Sequence, residues 1–206
     1  MSESEKSGVN MQGERKSTGE SRKQIILEWV RDIVIAIVIA LAISMVIKPT
    51  VVKESSMEPN FYQNDYIFLN RIAYKFGHGP EKGDVIVFKS HSDNLLDKKG
   101  KNKLLIKRVI GVPGDTINIA DGEVYINGEL DDQSYTNDGE TNGTVKDLKV
   151  PEGKLFCMGD NRFVSVDSRS KDVKLVDQDT IVGKAVFRLL PLGKMGVLHN
   201  VYKKDK

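Results

Sequence analysis

One cysteine in 206 residues, Cys157, excludes an intramolecular disulfide. It stands in the apolar run Leu155-Phe156-Cys157-Met158, where a small buried hydrophobe is expected rather than a nucleophile. Aromatic residues make up only 7% of the chain, too few for a base-stacking surface. No charge sign dominates: 31 Lys and Arg face 29 Asp and Glu, so no large field marks a nucleic-acid binder. Histidine is scarcer still. His78 lies in a Gly-His-Gly turn, His91 in a polar stretch and His199 near the C-terminal end. None stands beside a carboxylate or thiol at metal-ligand spacing, so neither a zinc site nor a Ser-His-Asp triad has sequence support. No metal or cofactor is expected.

What the chain does have is one long hydrophobic stretch. Residues 1–24 are rich in Ser, Glu, Lys, Gly and Gln, with almost nothing to bury, and read as a disordered tail. The composition then switches. Ile33 to Ile47 carries no charged residue and only Ser44 as a polar one, and Ile25-Ile26-Leu27 and Trp29-Val30 extend it upstream. A spanning helix needs about 20 predominantly apolar residues, so residues 25–47 are read as one transmembrane segment, with Trp29, Arg31 and Asp32 at headgroup level. A buried core helix would rarely be apolar all round, and an in-plane helix would need the polar face that Ile33–Ile47 lacks. A cleaved signal would need a small-x-small site, which Met45-Val46-Ile47-Lys48-Pro49 does not offer. Arg22, Lys23 and Arg31 before the run, against Lys48 and Lys53 after it, favour a cytoplasmic N-terminus, with residues 48–206 outside.

That outer region reads as mainly β. Asp84–Lys89 and Leu104–Ile110 are short, β-branched apolar runs. Thr116–Ala120, Asp121-Gly122 and Glu123–Ile126 form a hairpin pattern around a favoured two-residue turn, and Asn127-Gly128 marks another turn. Residues 131–147 are polar and turn-rich, expected to be a solvent-exposed loop. Lys154–Met158 and Ile181–Leu190 are further strands.

In Leu104–Ile110, period-2 alternation puts Leu105, Lys107 and Val109 on one face and Ile106, Arg108 and Ile110 on the other. The strand by itself leaves two readings open. Both basic residues reach solvent at an edge, or Lys107 is buried and deprotonated while Arg108, which cannot shed its proton, takes a carboxylate partner. A desolvated lysine amine is an alternative to histidine for activating a serine.

The surrounding motifs favour the second reading. Glu54-Ser55-Ser56-Met57-Glu58-Pro59 follows the apolar run. Gly83-Asp84-Val85 opens a strand, Lys107-Arg108-Val109-Ile110-Gly111-Val112-Pro113-Gly114-Asp115 comes next, and then Gly159-Asp160-Asn161-Arg162 with Ser165, Asp167, Ser168 and Arg169. In this order after one span, the segments resemble the type I signal peptidases of bacteria, over residues from about 25 to 190. The resemblance implies a membrane-bound serine endopeptidase with an antiparallel β catalytic domain, held outside the bacterial cytoplasmic membrane. Its substrates would be secretory preproteins, bound extended and cut after a small-x-small motif through an acyl-enzyme.

Ser56 then matches the nucleophile and Lys107 the general base. Ser165 matches a hydroxyl that hydrogen-bonds the lysine. Asp160, Asp167 and Arg169 match a supporting network, with Asp160 the partner of Arg108, and Gly111, Gly114 and Gly159 are assigned to turns. Val52, Ile67 and Ile106 match positions lining small substrate pockets. Two residues depart from the pattern. Glu54 stands where Gly or Ser usually precedes the nucleophile by two, beside the oxyanion hole, and Asn60 replaces the Thr usual after the proline. If Val52–Ser56 is extended, Glu54 shares a face with Ser56 and must turn away, to solvent or Lys53. The rivals are a self-cleaving repressor-type protease, which the span and the lack of a DNA-reading module disfavour, and a catalytically silent, membrane-tethered peptide-binding homologue.

Overall fold

One helix, α1 (Glu14–Val46), opens the computed structural model, which describes residues 14–203 and side chains from Arg22 onward. Residues 1–13 of the expected disordered tail lie outside the described residues. Residues 14–24, expected to share that disorder, are helical instead. Glu, Arg, Lys and Gln are good helix formers, and adding residues to an existing helix costs far less than nucleating one. The segment Arg22–Val46 is 25 residues long with a mean hydropathy of 2.3, and none of it is buried. It is long and apolar enough to cross a membrane. Its one polar residue within the apolar run is satisfied locally, Ser44 Oγ donating to the Leu41 carbonyl at 2.7 Å. Arg31 and Asp32 pair with each other at 3.0 Å on the helix surface. The helix ends one residue short of the expected boundary, since Ile47 begins the first strand.

The second unit starts at Val46, and its regular structure, apart from two short 3-10 helices, is antiparallel strands. In chain order they are β1 (Ile47–Val51), β2 (Tyr66–Asn70), β3 (Val85–Lys89), β4 (Leu104–Gly111), β5 (Thr116–Ala120), β6 (Glu123–Ile126), β7 (Glu129–Leu130), β8 (Val145–Lys149), β9 (Lys154–Met158), β10 (Val176–Asp177), β11 (Ile181–Leu190) and β12 (Gly196–Val197). The larger sheet runs β1-β2-β11-β3-β4-β9-β10, with β12 added to β11, and the smaller runs β7-β6-β5-β8. Pro49 is tolerated in β1 because that strand is an edge and owes a partner on one side only. The hairpin β5–β6 turns at Asp121-Gly122 with both φ angles positive, at 52° and 83°, as a primed two-residue turn requires.

β3 explains why its sequence is apolar without alternation. Val85 and Val87 enter a core with Val52, Met57, Phe61, Ile67, Leu69 and Ala185, while Ile86 and Phe88 enter another with Leu105, Val109, Leu155 and Cys157. A strand buried on both faces has no polar side to show. A third core, of Ile110, Ile117, Ile119, Val124, Ile126, Val150, Phe156 and Met158, joins the two sheets. Cys157 is fully buried in the second core, and burial pushes its thiol pKa well up, so it is inert packing.

The polar segment 131–147 is largely exposed, as expected, but is anchored inward at four points. Asp131, Gln133, Thr136 and Thr141 are buried, and its last residues enter β8. Polar side chains can go inside where each finds a partner. Here the partners come largely from Arg162: its Nη1 donates to Gln133 Oε1 at 2.9 Å and to Thr141 Oγ1, and its Nη2 to the Tyr135 hydroxyl at 3.0 Å.

Candidate active site

Ser56 sits in a turn that the surrounding chain holds from three sides. Upstream, Val52 exchanges backbone bonds with Asn64 and Asp65 (2.8 and 2.9 Å). Downstream, Met57 is wholly buried and its carbonyl accepts from Phe61 N–H at 2.8 Å. From a distant segment, the Asn161 N–H donates to the Ser56 carbonyl at 3.1 Å. Val52–Ser56 is not extended: β1 stops at Val51, the chain bends at Glu54 and turns from Ser56. Glu54 therefore does not share a strand face with Ser56.

Lys107 comes from the middle of β4, paired across to Ile86 of β3. It is 1% exposed, and its Nζ donates to Ser56 Oγ at 2.7 Å across 51 residues of sequence. Burial holds its ammonium pKa below the ordinary lysine value of 10.5, opposed by the carboxylates of Asp167 and Glu54 and assisted by the cation of Lys103. A buried amine kept toward its neutral form, in contact with a serine hydroxyl, is able to take that hydroxyl's proton.

The charged residues around the pair are matched one to one. Arg108 is 2% exposed; its Nε and Nη2 donate to the two Asp160 oxygens at 2.8 and 2.6 Å, and its Nη1 to the Gly83 carbonyl at 3.0 Å. Arg169 grips both Asp167 oxygens at 2.8 and 2.7 Å, and Asp167 also accepts the Gly159 N–H at 3.0 Å. Glu54 turns to Lys103, not to Lys53, in a partly exposed ion pair. Among the described residues, no group of three or more His, Cys, Asp and Glu side chains gathers as a metal site would need.

Two expectations for this region change. The Ser165 hydroxyl is buried without a hydrogen-bond partner, so the expected bond to Lys107 is not formed; the Oγ lies instead against Gly159. Of the three glycines assigned to turns, only Gly114 needs one, with φ +93°. A Cβ on Gly159 would run into the Ser56 carbonyl and the Ser165 side chain, so that glycine serves close approach.

Val52 and Ile67 are buried in one core with Met57, and Ile106 packs partly exposed against it. Sequence reasoning missed the residues that tie this region together. Asn60 Nδ2 bridges the Tyr135 carbonyl (2.7 Å) and Asp160 Oδ2 (2.9 Å). The Tyr135 ring meets both Arg108 and Arg162, their guanidinium carbons 4.9 and 5.7 Å from its centroid. Burial raises the Tyr135 phenol to about 12. Tyr135 is the only aromatic in the polar segment 131–147, which was a usable signal that the segment packs rather than floats.

The model of one protein family, described as signal peptidase, peptidase S26, matches residues 26–190. The chain is 37% identical over 190 residues to signal peptidase IB of Staphylococcus aureus (strain COL), covering 84% of this chain and 93% of that one. It is 33% identical over 192 residues to signal peptidase I of Bacillus licheniformis, covering 88% and 97%. A crystal structure of a signal peptidase I from Enterococcus faecalis V583 is 31% identical, covering 52% of this chain and 97% of that one, with a TM-score of 0.40, too low to speak for the fold.

Proposed function

The chain belongs to the signal peptidase family, peptidase S26, and on that premise we propose that it works through a Ser56–Lys107 dyad. It is a serine endopeptidase of the type I signal peptidase class, acting on signal peptides. In the proposed sequence, neutral Lys107 accepts the Ser56 proton as Oγ attacks the scissile carbonyl. The resulting ammonium returns that proton to the leaving amine, and an acyl-enzyme remains on Ser56. Lys107 then activates the water that hydrolyses it. The backbone N–H of Ser56 is the donor assigned to the oxyanion.

The preprotein lies extended along β4. In support, β9 pairs with β4 only from Arg108 onward, which leaves the Leu104–Lys107 edge for an added strand. Val52, Ile67 and Ile106 form the apolar surface that selects small residues on either side of the variable one. The arrangement of Arg108, Asp160, Asp167 and Arg169 holds the middle of β4, which carries Lys107, and the segment from Gly159 that follows β9. Helix α1 anchors the enzyme in a bacterial cytoplasmic membrane, with its N-terminal side in the cytoplasm.

The observation that carries the reading is the 2.7 Å contact between a buried lysine amine and a buried serine hydroxyl. It is tested by incubating detergent-solubilised protein with a preprotein. Ser56→Ala and Lys107→Met should each abolish formation of the mature product while the protein stays folded. The double variant should be no worse than either single, because the two groups act as a unit. Near-normal turnover by Lys107→Met ends the dyad reading, and failure of the unsubstituted enzyme to yield product favours a silent peptide binder.

A further inference from the structure

Every anion near Lys107 has its own cation, and one of these pairs is built differently from the rest. Asp160 is bound to Arg108 and Asp167 to Arg169, with the acid of each pair fully buried and the arginine nearly so. The nearby Cys157 thiol is held neutral by burial. The remaining pair is Glu54 with Lys103, whose side chains are 39% and 35% exposed. Glu54 stands in the bend that delivers Ser56, two residues before it. Lys103 leads directly into β4 on the same strand line as Lys107, with Leu105 between them. Its backbone is fixed on both sides, donating to the Leu95 carbonyl at 2.8 Å and accepting from Ser90 N–H at 2.9 Å. The pair thus joins the segment that carries the nucleophile to the strand that carries the base.

We propose that Glu54 and Lys103 are positioning residues that form a compensating charge pair, the cation cancelling at Lys107 an anion that would otherwise hold the base protonated. The inference rests on the dyad reading. A lone carboxylate at position 54 opposes general-base action, because an anion near an amine favours the ammonium. A lone ammonium at position 103 does the opposite. The two act on Lys107 with opposite sign. Together they let this chain carry an acidic residue beside its nucleophile without losing the neutral amine.

The test is the pH dependence of kcat/KM for preprotein cleavage by the full chain in detergent, for the unsubstituted enzyme, Glu54→Gln, Lys103→Gln and the double variant. Gln preserves the size of Glu54 and most of the stem of Lys103, and the position of a pH limb does not depend on the active fraction. Lys103→Gln should move the rising limb to higher pH and Glu54→Gln to lower pH, each by roughly a few tenths of a unit for partly exposed charges. The double variant should return close to the unsubstituted enzyme. Added salt should shrink both single shifts by screening. A limb that stays in place in both singles, or moves the same way in both, overturns the compensation and leaves the pair at most a mechanical clip. A flat profile in the unsubstituted enzyme overturns the dyad itself, so the two failures are distinguishable.

Discussion

Lys107, the base of the proposed dyad, has a protonation equilibrium that also enters stability. Its folded-state pKa lies below its unfolded value because burial penalises the ammonium. Between those two values the unfolded chain binds more protons than the folded one, so this residue's contribution to stability rises as pH rises through the window. Below the window the folded state carries the full penalty, and above it none. Lys107→Met has no proton to lose. It should therefore melt above the unsubstituted protein at neutral pH, with the gap closing toward alkaline pH. Differential scanning fluorimetry of both proteins across that range checks this; a gap independent of pH would show that Lys107 is not held toward neutrality. Gly159 makes the companion point at backbone level, since only its missing side chain lets the Ser56 carbonyl come within reach of Asn161 N–H.

At the scale of elements, β4 is where the unit's demands meet. Its apolar side chains serve three cores, Ile106 one, Leu105 and Val109 another, and Ile110 the third. Lys107 and Arg108 in its middle are both buried, and opposite solutions keep them there: proton loss for the amine, a bidentate carboxylate for the guanidinium. Removing one partner of such a buried pair leaves an uncompensated charge, which typically costs about 3–5 kcal/mol. Asp160→Ala should lower the denaturation midpoint accordingly. Adding Arg108→Met to it should cost much less than the sum of the singles, because the stranded charge is gone. Additive losses in urea titrations would mean that the pair is not the unit described. The segment 131–142 lies against this same pair through Tyr135, so it belongs to the site's support even though its composition is that of a surface loop.

At the scale of the whole molecule, the two units answer to different solvents. The large apolar residues of α1 between Ile25 and Met45 are about half exposed or more, from 49% at Ile25 to 71% at Leu27, a surface that water does not favour and a bilayer does. The β unit instead has three buried apolar cores and is tied off by the C-terminal residues. Tyr202 donates to Asp131 at 2.7 Å, Asn200 to the Lys82 carbonyl at 2.7 Å, and Lys203 pairs with Glu81 at 2.5 Å. The last two contacts brace the turn whose Gly83 carbonyl receives Arg108. The basic residues Arg22, Lys23 and Arg31 flank the N-terminal end of the span, the side that the proposed orientation places in the cytoplasm. Protease added to intact protoplasts should therefore digest the β unit and spare an N-terminal tag. Loss of the tag with survival of the β unit would reverse the orientation.

What the sequence determined by itself were features set within a few neighbouring residues. Among them are an apolar stretch long enough for a bilayer once its upstream turns are counted, β-branched runs between turn residues, a hairpin at Asp121-Gly122, and a lysine set between Leu105 and Val109 on one strand face. The motifs around Ser56, Lys107 and Asp160 were legible for the same reason. The tertiary structure decided which distant groups meet. It brought Lys107 to Ser56 and Asp160 to Arg108, sent Glu54 to Lys103 instead of Lys53, left Ser165 without a partner, and drew Asn60, Tyr135 and Arg162 into one buried network. A polar side chain's place depends on whether a partner waits for it inside, and that partner comes from elsewhere in the chain. Apolar periodicity is written locally; the satisfaction of buried polar groups is not.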